Sequence, residues 1–94
     1  MQNLSPKTIV QRLDQDIVDA NLDDSLVLLH VEHGKYYDLN QTSSSIWNWL
    51  KEPLSVEELS FKLSEVYDCT KESCYNDVVS FLHQLIKLEL LSIK

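Results

Sequence analysis

The chain has 94 residues, 44% of them apolar, a length suited to one domain. No apolar run approaches the roughly 18 residues of a membrane-spanning helix. A chain this short buries only about 60 to 65% of its unfolded surface, which leaves little room for a deep enclosed active site and favours a binding module. Fifteen acidic residues against eight basic ones give a net charge of -7, and Asp14, Asp16, Asp19, Asp23 and Asp24 share a stretch without a base. That field opposes phosphate backbones and anionic membranes, so the expected partner is neutral or basic.

Residues 1–7 are expected to be loose and the ordered core to span roughly residues 8–91. Thr8 to Ala20 carries Ile9, Val10, Leu13, Ile17 and Val18 among polar residues without a sustained helical period, which predicts a strand. Asn21-Leu22-Asp23-Asp24 supplies a turn. Ser25 to Val31 is an apolar run of strand length, and Lys35 to Leu39 is a short aromatic strand. Between them His33 and Gly34, the only glycine, are expected to form a two-residue hairpin turn, with the glycine at positive φ.

The second half predicts three helices. Thr42 or a neighbouring serine caps the first, which carries Ile46, Trp47 and Leu50, with Trp49 beside them, and ends near Lys51 before Pro53. Ser55-Val56-Glu57-Glu58 has the form of a capping box and opens a second helix with Val56, Leu59, Leu63 and Val66 on one face, ending near Tyr67. Thr70 caps a third helix from about Lys71 to Leu88. Its stripe is Cys74, Val78, Phe81, Leu82, Leu85 and Leu88, with Tyr75, Val79, His83 and Ile86 on an offset apolar face. Strands followed by helices in blocks predict an α+β, winged-helix-like fold: a three-stranded antiparallel sheet followed by three helices. One edge of that sheet, Lys35 to Leu39, has backbone donors and acceptors with no partner in the chain.

Little in the sequence points to catalysis or metal binding. Cys69 and Cys74 are too few for a disulfide framework and lack a histidine nearby in sequence. They are read as thiols in a reducing, cytoplasmic setting, with Cys74 acting as a small hydrophobe. The N-terminal MQNLSPKTIV shows no basic start and apolar core of a signal peptide. His30, His33, His83 and the cysteines form no ligand pair of structural-zinc type. No catalytic residue, metal or cofactor is expected.

Val27-Leu28-Leu29, Gly34-Lys35-Tyr36-Tyr37-Asp38-Leu39-Asn40, Ile46-Trp47 with Leu50, Leu59 to Leu63, Tyr67-Asp68, and Asp77-Val78 with Phe81-Leu82 and Leu85 together resemble the PqqD-like family. That family supplies recognition elements for ribosomally made, modified peptides (RiPPs), and the resemblance spans roughly residues 15–91. The stand-alone length and the GKYYDLN segment most resemble the discrete leader-recognition proteins of lasso-peptide clusters. The chain departs from the family pattern at Ser43 and Glu89, where glycine is common. The resemblance implies a non-catalytic protein that captures a precursor's leader as a strand added to the third strand. The leader would then pass to a transglutaminase-like cysteine protease acting as leader peptidase, before a macrolactam cyclase closes the ring.

Read with strand addition in mind, Lys35, Tyr36, Tyr37, Asp38 and Leu39 provide main-chain hydrogen bonds, and Tyr75, Val79, Leu82, His83 and Ile86 provide an apolar wall for leader side chains. The acidic surface favours Lys or Arg near the leader's anchor points. A PqqD-like chaperone serving a radical SAM or other modifying enzyme is the alternative. A winged-helix transcription regulator is disfavoured, because the third helix offers only Lys71 and Lys87 to nucleic acid. The same free edge is also open to pairing with a second copy.

Overall fold

The structure is a computed structural model that describes residues 4–22 and 25–94. Its elements in chain order are β1 (Ile9–Arg12), β2 (Ile17–Leu22), β3 (Ser25–His30), β4 (Lys35–Leu39), α1 (Gln41–Trp49), β5 (Leu54–Ser55), α2 (Val56–Val66), α3 (Lys71–Lys87) and β6 (Leu91–Ile93). The expected α+β arrangement of an antiparallel three-stranded sheet, β2-β3-β4, and three helices is present. Among the described residues no helix is long and apolar enough to cross a membrane.

One expected strand is in fact two. Asp16 adopts a positive φ of 62° and the Ile17 N–H donates to the Asp14 carbonyl at 3.1 Å, so the acidic stretch turns the chain. Aspartate tolerates this left-handed backbone better than most residues. β1 leaves for a second, small sheet of order β5-β1-β6, built partly from short strands before α2 and after α3 that the block reading of strands then helices did not include. Asn21 and Leu22, expected in a turn, belong to β2; Asp23 and Asp24 lie outside the described residues. The β3–β4 connection is four residues, 31–34, rather than a two-residue turn, since His30 pairs with Lys35. Gly34 has the positive φ expected, 65°, and its N–H donates to the His30 carbonyl at 2.7 Å. His33 and His30 stack in parallel with ring centroids 4.0 Å apart.

Period-two alternation in β3 turns Leu26, Leu28 and His30 inward and leaves Val27 and Leu29 half-buried on the outer face. The inner leucines join Leu39, Ile46, Trp47, Leu50, Val56, Leu59, Leu63, Val78 and Leu82 in one core cluster. Arg12 ties β1 and β2 to α1. Its guanidinium lies 5.0 Å from the Trp47 ring centroid, and its Nη1 donates to the Trp47 carbonyl at 3.2 Å. Arg12 Nε stands 2.8 Å from Asp14 Oδ1 without an aligned hydrogen bond, so charge attraction rather than a directed bond holds that pair.

The helix starts follow from their caps. Asn40, two residues before Thr42, caps α1 by accepting from the Ser43 N–H at 2.8 Å. Ser55 and Glu58 form the expected capping box, with Ser55 Oγ accepting from the Glu58 N–H and Glu58 Oε1 from the Ser55 N–H, both at 3.1 Å. The Ser55 backbone donor, followed by its side chain, holds the Glu58 carboxyl below its ordinary value. Thr70 caps α3 as expected. α3 closes with the Leu90 N–H on the Leu85 carbonyl and the Glu89 N–H on the Ile86 carbonyl, a Schellman arrangement that forces Glu89 to φ 61°. Cys69 and Cys74 correct the thiol reading: they form a disulfide with Cα atoms 6.3 Å apart. The first turn of α3 brings Cys74 back beside Cys69, which leaves Cys74 fully buried.

Candidate functional site

β4 is an edge strand: β3 pairs with it on one side, and among the described residues no strand pairs with the other. Along such an edge every second residue directs both its N–H and its C=O away from the sheet. Lys35 and Asp38 are exposed, Tyr36 is 70% exposed, Tyr37 is half-buried and Leu39 is buried. Tyr37 and Leu39 therefore face the core, and Tyr36 lies on the outer face opposite Leu29.

A cavity of about 410 Å³ opens where the end of β4, the start of α1 and α3 meet. Asp38, Leu39 and Asn40 form one wall, Thr42, Ser43 and Ile46 of α1 form the end, and Asp77, Ser80, Phe81 and Gln84 of α3 form the other wall. The apolar floor is thus Leu39, Ile46 and Phe81. Among the described residues two carboxylates, Asp38 and Asp77, and no Lys or Arg line this space. The first turn of α1, which carries no acidic residue, contributes only the partial positive charge of its N-terminus. The cavity suits an extended segment with an apolar side chain for the floor and a cationic one for the carboxylates.

The structure brings Asp38 and Leu39 together with α3, while Lys35, Tyr36 and Tyr37 continue the edge toward the hairpin. α3 turns a different face to β4 than the sequence reading assigned. At 100° per residue, Tyr75, Val79, Leu82, His83 and Ile86 lie roughly 110 to 170° around the helix from the centre of the Asp77–Ser80–Phe81–Gln84 face. Leu82 is 0% exposed. Val79 and Ile86 are half-buried against the core, and Tyr75 lines a separate groove with α2. Asp77, Ser80 and Gln84, spaced i, i+3 and i+7 beside Phe81, form a polar stripe visible in the sequence, which surplus apolar surface does not mark.

The sequence profile described as Coenzyme PQQ synthesis protein D (PqqD) matches residues 25–91, which contain β3, β4, all three helices and the cavity between them. The chain belongs to the PqqD family. Two solved structures share this PqqD fold. TbiB1, in complex with the TbiA(beta) leader peptide, is 33% identical, covers 87% of this chain and 94% of its own, and superposes with a TM-score of 0.77. A lasso peptide synthetase B1, complexed with the leader peptide, is 22% identical over 88% of this chain and 96% of its own, with a TM-score of 0.76, and shows the common fold. Among curated proteins none matches this PqqD chain.

Proposed function

We propose that this protein binds the leader of a ribosomally synthesised precursor peptide as a strand added to β4, on the Asp77 side of α3, and presents it for processing in lasso-peptide maturation. The observation that carries this is the unpaired β4 edge facing α3 across a cavity, in a PqqD chain 33% identical to a protein solved with a leader peptide. Main-chain bonds from Lys35 to Leu39 supply affinity, and the cavity supplies sequence preference. The preferred leader carries an aliphatic or aromatic side chain for Leu39, Ile46 and Phe81 beside a Lys or Arg for Asp38 and Asp77.

In this reading the protein is a carrier rather than a catalyst. Its partners are a transglutaminase-like leader peptidase and a macrolactam cyclase, and its setting is the cytoplasm, where ribosomal precursors are made. A second copy pairing through β4 would compete with the leader for one edge.

The test is fluorescence polarisation of labelled leader peptides, encoded by small open reading frames beside the gene, titrated with purified protein. Saturable binding is expected, weakened at least about tenfold by Ser80→Arg, which fills the cavity from an exposed position. Failure of every leader to bind the wild type would end the proposal.

A further inference from the structure

A second groove, of about 740 Å³, lies between α2 and the N-terminal half of α3. Phe61, Tyr75 and Pro6 are its apolar residues. Phe61 is 59% exposed at mid-helix, away from the face on which Val56, Leu59 and Leu63 are buried. An aromatic left open in a concavity is the kind of anchor point that protein interfaces use.

The rim supplies the charge. Glu57, Glu58, Glu65 and Glu72 line it against Lys62 and Lys71. Glu57 is engaged by Lys7 at 2.8 Å and Glu58 by the cap of α2. Among the described residues Glu65, Glu72, Lys62 and Lys71 have no ion-pair partner; the four carboxylates still outnumber the two lining lysines and Lys7, so the rim is net acidic, with Glu65 on the α2 wall and Glu72 on the α3 wall. Tyr75 lies roughly 160° around α3 from Asp77, so this groove and the leader cavity occupy opposite sides of one helix.

We infer that the α2–α3 groove docks a basic, amphipathic segment of the protein to which the leader is presented, an apolar side chain seating on Phe61 and Tyr75 and flanking Lys or Arg residues meeting Glu65 and Glu72. The inference rests on the leader-presentation reading for the identity of the partner, while the groove and its charge stand without it. Because α3 separates the two sites, leader and partner are held at the same time, which presentation requires and which one shared site would forbid.

The test uses the full chain, isotopically labelled for amide spectra, and two synthetic amphipathic peptides: a leucine stripe flanked by Lys and Arg, and the same stripe flanked by Glu. The basic peptide is expected to shift amides of residues 57–65 and 71–75, to bind at least about tenfold more tightly than the acidic one, and to persist when leader is saturating. Phe61→Asp, and separately the double variant Glu65→Lys with Glu72→Lys, should each weaken it at least about tenfold while leaving leader affinity unchanged. Equal binding by the variants, shifts spread over the acidic surface or centred on the β4–α3 cavity, displacement by leader, or a dimer in sedimentation that Phe61→Asp dissolves would each overturn the assignment. Leader binding without basic-peptide binding rejects this groove alone. Basic-peptide binding without leader binding rejects the proposed function and leaves the groove standing.

Discussion

The two long sides of α3 are built to opposite specifications. The side toward β4 presents Asp77, Ser80 and Gln84 around a single aromatic, Phe81, and borders a cavity. The far side carries Val79, Leu82 and Ile86, and this apolar surface is spent on the core. The difference teaches where a strand-adding ligand finds its affinity. For the proposed leader, main-chain hydrogen bonds would come from the β4 edge, so the helix opposite would need only a small apolar floor and groups that choose among side chains. The apolar side of the helix is the structural side, and the polar side faces the open edge.

Substitutions should separate the two sides cleanly. The largest effect is expected at Leu82→Ala, which opens a cavity in a fully buried site and should cost about 2 to 5 kcal/mol in denaturant unfolding. Val79→Asp, half-buried on the same side, should cost about 1 to 3 kcal/mol. At a protein concentration and temperature where the variant remains folded, its leader affinity should stay near wild type. Asp77→Asn reverses the pattern: unfolding unchanged within about 0.5 kcal/mol, but weaker binding of a leader with Lys or Arg at the anchor and a shallower salt dependence. Loss of leader binding by folded Val79→Asp, with none by Asp77→Asn, would exchange the roles of the two sides.

Two smaller effects sharpen the account of how α3 and α2 are held. Glu89 sits at φ 61°, a backbone that glycine adopts without the penalty of a Cβ, so Glu89→Gly should stabilise by about 0.5 to 1 kcal/mol in thermal unfolding. Glu58 has a lowered folded-state pKa because its carboxylate accepts from the Ser55 backbone. Its contribution is therefore present above the ordinary glutamate value of 4.5 and disappears as pH falls through the lower folded value. Stability of the wild type measured against Glu58→Gln should show that excess at neutral pH and lose it in acid.

Much of the fold was legible because local chemistry and the tertiary arrangement agree. Ser55 and Glu58 announce their capping box, Thr70 caps α3, and Gly34 takes the left-handed backbone its hairpin needs. The edge strand was legible too, since Lys35–Leu39 is the last strand before α1. What escaped depends on distant partners. β1 reads like a continuation of β2 until Asp16 turns the chain. Its true neighbours, Leu54–Ser55 and Leu91–Ile93, are too short to show a strand period. The disulfide escaped because Cys69 and Cys74 show their proximity only once the first turn of α3 is placed. The facing side of α3 escaped because amphipathicity reports which side is buried, and in this helix the side toward the open β4 edge is the polar one.

The central claim is that the leader adds to β4 on the Asp77 side of α3. Amide hydrogen exchange with and without bound leader tests it most directly, because strand addition protects alternate backbone amides along one edge. The account predicts new protection at alternate residues within Lys35 to Leu39, with slowed exchange around Asp77 to Gln84 and little change at Phe61 or Tyr75. Protection confined to the α2–α3 groove, with the β4 amides exchanging as before, would contradict it.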